Sequence, residues 1–419
     1  MSLDRNIRLL TLGVAVRMLG NALYGPFIAL YVHNVLGIGY VELGLIVVFI
    51  GSIQIPFSIV GGLVADRARR KDLMILGLTS EAIATAGLAY AFSIESLGLV
   101  ILAAIIGGSI SSLAGPAFSA YIADFAEGSA RTRGFTLYRI GFNAGFAAGV
   151  ALGGLFIMAI GFAGGVAIAA AIIGGATVTI FLLLDQSPRD QERAAPTPRP
   201  SEAAAEPLAP RPRRSFGESL RVLARDRVAM EVAIAFALGS FVATQWSTTF
   251  PLYVHNVLGV SYALLGIGLS LNGLVVVFGQ SPTTESVIGR HHTGIAVLGL
   301  VFYAVAFLGL GASGYWNIVP VVVFFVAVVV LTIGENLVAI PSATLPSNIA
   351  PKEEIGSYNG AIGAFMAIGG ILATLAGGVV LQYVTNPLLI WVILVVPIVP
   401  AIVLLRHAGR RIPEAANRA

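Results

Sequence analysis

Arg17, Glu81 and Glu335 each interrupt a stretch of sequence that is otherwise apolar. An ionised group in such a setting costs several kcal/mol unless it is paired, so each is a candidate for chemistry. Arg17 lies about ten residues into its stretch, or about 15 Å at the helical rise of about 1.5 Å per residue. Glu81 sits about nine residues into another stretch that starts from the same side, so the two share a depth. They read either as a buried ion pair locking the first helix to the third, or as separate groups. In the second case Arg17, with Arg139, faces a cavity and meets an anionic group or adjusts a protonation site. Glu335 lies about 20 Å deep by the same rise, with no Lys or Arg expected at that depth in the second half of the chain. A carboxyl buried without a cation favours its neutral form. Such a group can bind a proton from one side and release it on the other, and Glu335 and Glu81 are therefore the proton-coupling candidates. The plain alternative for Glu335 is a hydrogen bond to Asn336 or to a backbone carbonyl. Glu231 is shallower and reads as interfacial.

Other polar and aromatic residues share these stretches: Asn21, Tyr24, Tyr138, Asn143, Gln245, Trp246, Asn272 and Asn336. Together with Arg17 and Arg139 they are the candidate lining of a small-molecule pocket, since such pockets combine apolar walls with a few polar groups. Each can equally serve as glue between helices. The set is too thin in Asn, Gln and Trp for a sugar site, which favours an amphiphilic or lipophilic ligand. His33 and His255 have no partners at metal-ligand spacing. With Tyr31 and Tyr253 they read as wet residues at a membrane interface, the tyrosines anchoring at the headgroups.

The elements that must carry these residues follow from composition. The chain is 57% hydrophobic and only 11% charged, against about 25% charged in a soluble domain. Its solvent must be lipid. Spanning helices need about 20 mostly apolar residues. Twelve windows qualify: 7–32, 40–63, 72–93, 97–124, 134–160, 162–184, 227–253, 261–285, 293–313, 317–347, 356–382 and 387–405. The fold class is thus an all-α membrane protein of twelve transmembrane helices. The 49 glycines suit close helix approach. Arg17 and Arg139 apart, every Lys and Arg falls in the N-terminal tail, an even-numbered connection or the C-terminal tail, or, like Arg8 and Arg227, at the very start of a window that follows one. Cytoplasmic loops collect such residues, so both termini are expected in the cytoplasm, in a multi-pass protein of the cell membrane. This topology explains the sequence pI near 9.4 without a nucleic-acid partner. No cleavable leader is expected, and the absence of Cys excludes disulfides and thiolate chemistry.

The chain divides in two. Residues 185–214 are rich in Pro, Ala and charge, a composition that cannot bury a core. SFGESLRVLARDRV follows, with Ser215 and Glu218 at capping-box spacing. It reads as a short amphipathic helix on the cytoplasmic membrane surface. Expected units are 1–184, a linker over 185–226, and 227–419. LYVHNVLG fills Leu30 to Gly37 and recurs letter for letter at Leu252 to Gly259. It ends helix 1 and helix 7, so the halves are repeats. Pro116 and Pro341, and Gly153-Gly154 and Gly377-Gly378, are further matches. Two six-helix bundles related by a pseudo-two-fold axis along the membrane normal are a transporter architecture with its site between the halves. Helices 1 and 7 would face one another, and the octamers would form two sides of an outer gate.

PFIALYVHNVLGIGYVELGLIVVFIGSIQIPFSIVGGLVADRARRKD resembles the major facilitator superfamily from helix 1 through loop 2–3, ending in Gly62-x-x-x-Asp66-x-x-x-Arg70-Lys71. DFAEGSARTRGFTLYRIGFNAGFAAGVALGGL is similar to the helix 4–5 junction of its twelve-helix drug:proton antiporters, and TIGENLVAIPSATLPSNIAPKEEIGSYNGAIG to their helix 10–11 junction. The chain departs from the pattern at Arg69, where Gly is usual, and at Gly149-Val150, where helix 5 of the antiporters reads Gly-Pro. It also lacks their helix 4 Arg. The resemblance implies a cytoplasmic gate in which Asp66 sits against the start of helix 11, while Arg70, beside Lys71, pairs with Asp124. Loop 8–9 has no matching Asp.

The expectation is a secondary transporter: proton-coupled efflux of small amphiphilic compounds by alternating access, with protons, lipid and a small molecule as partners. It should act as a monomer and need no cofactor or metal. Rivals are a proton symporter or uniporter importing a polar metabolite or organic anion, and a transport-dead sensor or lipid scramblase. Nothing resembling an enzyme's nucleotide motif or nucleophile–base constellation is present.

Overall fold

A computed structural model describes residues 4–65, 68–194, 216–316, 319–352 and 354–418. Asp66, Ser215 and most of the linker lie outside the described residues.

Span 1 is α1 (Arg5–Tyr24), a 3-10 turn (Gly25–Phe27) and α2 (Ile28–Asn34). Pro26 has no N–H to offer the helix ladder, which breaks there. Spans 2 to 4 are α3 (Tyr40–Ala65), α4 (Arg70–Ser93) and α5 (Leu97–Phe125). The next helix, α6 (Gly128–Leu183), has 56 residues, about 84 Å at the helical rise and far beyond a bilayer core of about 30 Å. It comprises spans 5 and 6, parted at Gly161, where φ of 74° and ψ of 175° leave the helical region.

A short α7 (Pro188–Ala194) follows, and after the linker α8 (Phe216–Arg225). Span 7 is α9 (Arg227–Thr244) and α10 (Thr249–Asn256). Pro251, in the first turn of α10, has no N–H for the Ser247 carbonyl, and ahead of it the amides of Gln245, Trp246 and Ser247 tighten to i−3 carbonyls at 3.0–3.2 Å. Spans 8 to 11 are α11 (Tyr262–Val287), α12 (His292–Trp316), α13 (Pro320–Ile349) and α14 (Ile355–Tyr383). Span 12 is α15 (Pro387–Val395) with α16 (Ile398–Gly409), and α17 (Glu414–Asn417) lies in the tail. All twelve expected spans are present; the breaks within spans 1, 7 and 12 were not expected.

The bundles meet along two seams, α6 against α11 and α3 against α14. These are spans 5 and 8, and spans 2 and 11, as a two-fold axis requires. Apolar side chains such as Phe49, Ile83, Phe278 and Val399 turn outward, which is stable only in lipid. One core cluster runs through the second bundle, where Trp391 stacks on Phe307 at 4.5 Å.

Two tails fold back to cap helices. The Asp190 carboxylate accepts from the Arg70 amide, at the start of α4, at 2.7 Å. The Asn417 amide accepts from the Thr293 amide, near the start of α12, at 3.1 Å and donates to its hydroxyl at 3.1 Å. Each segment follows the sixth helix of its repeat and satisfies an orphan donor on the third. Expectation and structure differ at α8: Leu223 is buried against α9 and α14, so its apolar face meets protein instead of the bilayer surface. Arg221 and Arg225 are exposed.

Candidate functional site

Arg17 and Glu81 are partners. Arg17 Nε donates to Glu81 Oε2 at 2.8 Å, and its Nη2 donates to Ser111 Oγ at 2.8 Å. Ser111 in turn donates to Glu81 at 3.3 Å, and Asn21 Nδ2 donates to Glu81 Oε1 at 2.5 Å. The guanidinium carbon stands 5.3 Å from the centre of the Phe118 ring. Both carboxylate oxygens are occupied, so the pair is internally neutralised. Tyr24 completes the network, with its hydroxyl 3.3 Å from both Asn21 and Thr85. Beside it lies a cavity of about 320 Å³ lined by Asn21, Tyr24, Gln54, Glu81, Ser111 and Ser112, among others.

A second cavity, about 310 Å³, opens between the bundles. Met18, Asn21, Phe146, Trp246, Pro251 and Leu269 contribute to its wall. The breaks in spans 1 and 7 sit here: Gly25 and Pro26 border it from one side and Trp246 and Ser247 from the other. Asn21 borders both cavities. Gln245, expected on a pocket wall, is fully buried instead. Its amide donates to Ala373 O at 3.2 Å, and Thr249 donates to its oxygen. It joins α9 to α14.

Glu335 has different company. Asn272 Nδ2 donates to its Oε2 at 2.9 Å and shares a 2.9 Å contact with Thr332 Oγ1. Asn336 is not its partner; that side chain is buried, with Nδ2 unsatisfied among the described residues. Glu335 borders a cavity of about 180 Å³ inside the second bundle, with Ser240, Tyr303, Ser342, Met366 and Leu405. Arg139 and Asn143 line a groove of about 390 Å³ against Gln280, Ser281, Thr284 and Glu285 of α11. Tyr138 packs instead on the core of the first bundle, near the ends of α4 and α5.

The octamers close one face of the molecule. Asn34 donates to Asn256 at 3.1 Å and approaches the Tyr262 hydroxyl at 3.3 Å. Asn256 donates to Tyr40 at 3.1 Å, and the Tyr40 amide donates to Gln382 at 2.8 Å. His33 stacks on Tyr40 and His255 on Tyr262, each ring nitrogen 2.7 Å from a carbonyl five residues on. Tyr31 and Tyr253 are corrections. Each is almost wholly buried, Tyr31 donating to Phe92 O at 2.9 Å and stacked on that ring. They serve as core residues and do not anchor at headgroups, because α2 and α10 turn them inward.

On the opposite, basic face the bundles part. The Arg139 groove opens between α6 and α11, and Gly356, Gly360 and Gly363 of α14 have open space where a Cβ would stand. Arg70 and Asp124 lie 3.5 Å apart, both largely buried, and Lys71 Nζ donates to Leu184 O at 2.5 Å. Asp66 lies outside the described residues. Sequence reasoning missed Gln54, Thr85, Ser111 and Tyr303 in the cavities, and Asn34, Tyr40, Asn256 and Tyr262 at the closed face. Ser111 shares the depth of the Arg17–Glu81 pair, which was an available signal. The asparagines stood inside the repeated octamer itself.

This architecture is shared with known proteins. An uncharacterized MFS-type transporter of Bacillus subtilis, YttB, is 23% identical over 384 residues, covering 91% of this chain and 89% of its own. A Na(+), Li(+), K(+)/H(+) antiporter of Planococcus maritimus is 25% identical, with 84% of each chain covered. Among solved structures, a POT family transporter in complex with 5-aminolevulinic acid superposes with a TM-score of 0.75 at 15% identity, over 97% of this chain and 96% of that one. The nucleoside transporter NupG gives 0.72 at 15% identity, over 96% and 100%. The sequence pattern of the Major Facilitator Superfamily matches residues 10–374, and with twelve spans in two symmetric bundles around an interfacial cavity, the chain belongs to that superfamily of membrane transporters.

Proposed function

We propose that this transporter exports small amphiphilic compounds in exchange for protons, acting as a monomer in the cell membrane. The contrast between its two buried acids carries the reading. Both oxygens of Glu81 are taken, one by a guanidinium. Glu335 has a neutral amide on one oxygen and borders a cavity. A coupling carboxyl must change protonation as access alternates, and Glu335 has the freedom that Glu81 lacks. Support also comes from the relative named as a cation/proton antiporter.

The basic face takes the cytoplasmic side, because its loops and tails hold the Lys and Arg. The conformation is then closed outward and open inward. Rocking of the bundles would open the octamer face and close the Arg139 groove. Asp66, Arg70, Lys71 and Asp124 form the inner gate in this scheme.

In proteoliposomes, Glu335→Gln should abolish uphill transport driven by a pH gradient while keeping energy-independent exchange of substrate. Retained uphill transport would move coupling to another group and remove the proposal's basis. A second reading, import of an organic anion, draws on Arg139 exposed on the interbundle groove. Accumulation in right-side-out rather than inverted vesicles, lost in Arg139→Gln, would favour it.

A further inference from the structure

The two cavities that meet at Asn21 differ in chemistry. The interbundle cavity is walled chiefly by Met18, Ala22, Phe146, Trp246, Pro251 and Leu269. The first-bundle cavity sets Gln54, Glu81, Thr85, Ser111, Ser112 and Tyr24 into a wall that also holds Ile28, Ala84, Leu88, Ala103 and Ala104. We infer that they are two subsites of one binding site: the interbundle cavity takes the apolar body of the substrate, and the first-bundle cavity takes an uncharged polar head that donates hydrogen bonds, such as an amide or a diol. This inference rests on the amphiphile reading above and specifies its head group.

Net charge in the polar subsite decides the class. Glu81 is the subsite's acid, and Arg17 cancels it at 2.8 Å. An ammonium head would have to displace Arg17 or Asn21 from that carboxylate. A carboxylate head would meet Glu81 with the guanidinium already engaged. Either ion would be desolvated without a full partner, which costs far more than burying a neutral group that is hydrogen-bonded. What the subsite offers is dipoles. Gln54 spends one Nε2 hydrogen on Ala104 O at 3.3 Å, which leaves its amide oxygen as an acceptor beside one remaining N–H. Ser112 donates to Gly108 O at 2.6 Å, leaving its lone pairs. Ser111 donates to Glu81 and accepts from Arg17, so it is already engaged. Acceptors predominate among the groups left over, hence a head with N–H or O–H donors. Asn21, on the boundary, is fixed by Glu81 and Tyr24 and aligns the neck of the molecule.

The test is calorimetric titration of the full-length protein in nanodiscs with four compounds that share a hexylphenyl body. Their heads are a primary amide, a vicinal diol, a trimethylammonium and a carboxylate. Amide and diol should bind about tenfold or more tighter than either ion, as expected where one or two buried hydrogen bonds are made and no charge is stranded. Gln54→Met should cut the affinity of the amide and diol by about threefold to tenfold and leave the ionic compounds unmoved. Ser112→Ala, a smaller change, gives the same comparison should Gln54→Met misfold. Trp246→Ala should weaken all four equally. Tighter binding of either ion, or neutral-head affinity unmoved in both variants, overturns the assignment of the head. Failure of all four compounds to bind overturns the amphiphile reading, and this inference with it.

Discussion

Asn34 and Asn256 hold the same position in the two copies of LYVHNVLG, and their side chains meet across the interface, Nδ2 of Asn34 donating to Oδ1 of Asn256 at 3.1 Å. A residue at a two-fold axis packs against its own counterpart, so a change in either copy is felt by the other. The histidines beside them repeat the same local geometry, ring on tyrosine and nitrogen on carbonyl. Each half carries one octamer, and a shared contact is a physical reason for the two to match.

The chain has no Cys, so this contact can be tested without background. Asn34→Cys with Asn256→Cys should crosslink on mild oxidation and stop transport, and reductant should restore it. The band shift on a non-reducing gel and the transport rate are the two readouts. Full transport by a fully crosslinked protein would mean that the octamer face need not open.

Removing one member of the Arg17–Glu81 pair strands the other. Arg17→Ala or Glu81→Ala should each destabilise the protein by about 3–5 kcal/mol, the range for breaking a buried pair. Both side chains are mostly buried, at 17% and 10% exposure, which justifies that range. The double variant should recover part of the loss in thermal unfolding. Simple additivity would show that the two contribute independently.

Asp124→Asn removes the charge facing Arg70, and the Arg70 side chain is only 6% exposed with one nitrogen unsatisfied. Turnover should fall several-fold while binding, measured by titration, stays near wild type. Unchanged turnover would reduce Arg70 and Asp124 to structural residues.

Asp190→Ala and Asn417→Ala each delete a cap supplied from a distant segment. Loss of a capping side chain costs about 0.5–2 kcal/mol. Each variant should lower Tm by a few degrees, and the two effects should add because the caps lie in different bundles. A shift in neither would mean that water replaces both caps.

Much of this was legible beforehand. Gly161 falls in the gap between two predicted windows because lipid thickness limits helix length, whatever the fold. Arg17 and Glu81 could be matched because depth follows from counting residues along a helix. Rotation about the helix axis does not follow from counting. Depth alone therefore suits Tyr31, Gln245 and Asn336 to wet or cavity-facing positions, whereas all three are buried in core or seam. The breaks near Pro26 and Trp246 were equally opaque. In the first, a proline after glycine was available as a signal. In the second, Pro251 just past the tightened turn was a signal of the same kind. Asn272 beside Glu335 needed the relative placement of α11 and α13, which hydropathy does not encode.

The back-folded caps carry a consequence for how the chain may be divided. Asp190 returns to α4 before the linker proper, and Asn417 returns to α12 at the far end of the chain. The repeating unit is therefore six helices and a hook, with residues 195–215 lying beyond the first hook. Cut anywhere in that interval, the chain should yield two polypeptides that each keep their own hook and reassemble when coexpressed. Cut at Leu184 instead, the first polypeptide loses Asp190, and α4 starts with a bare amide.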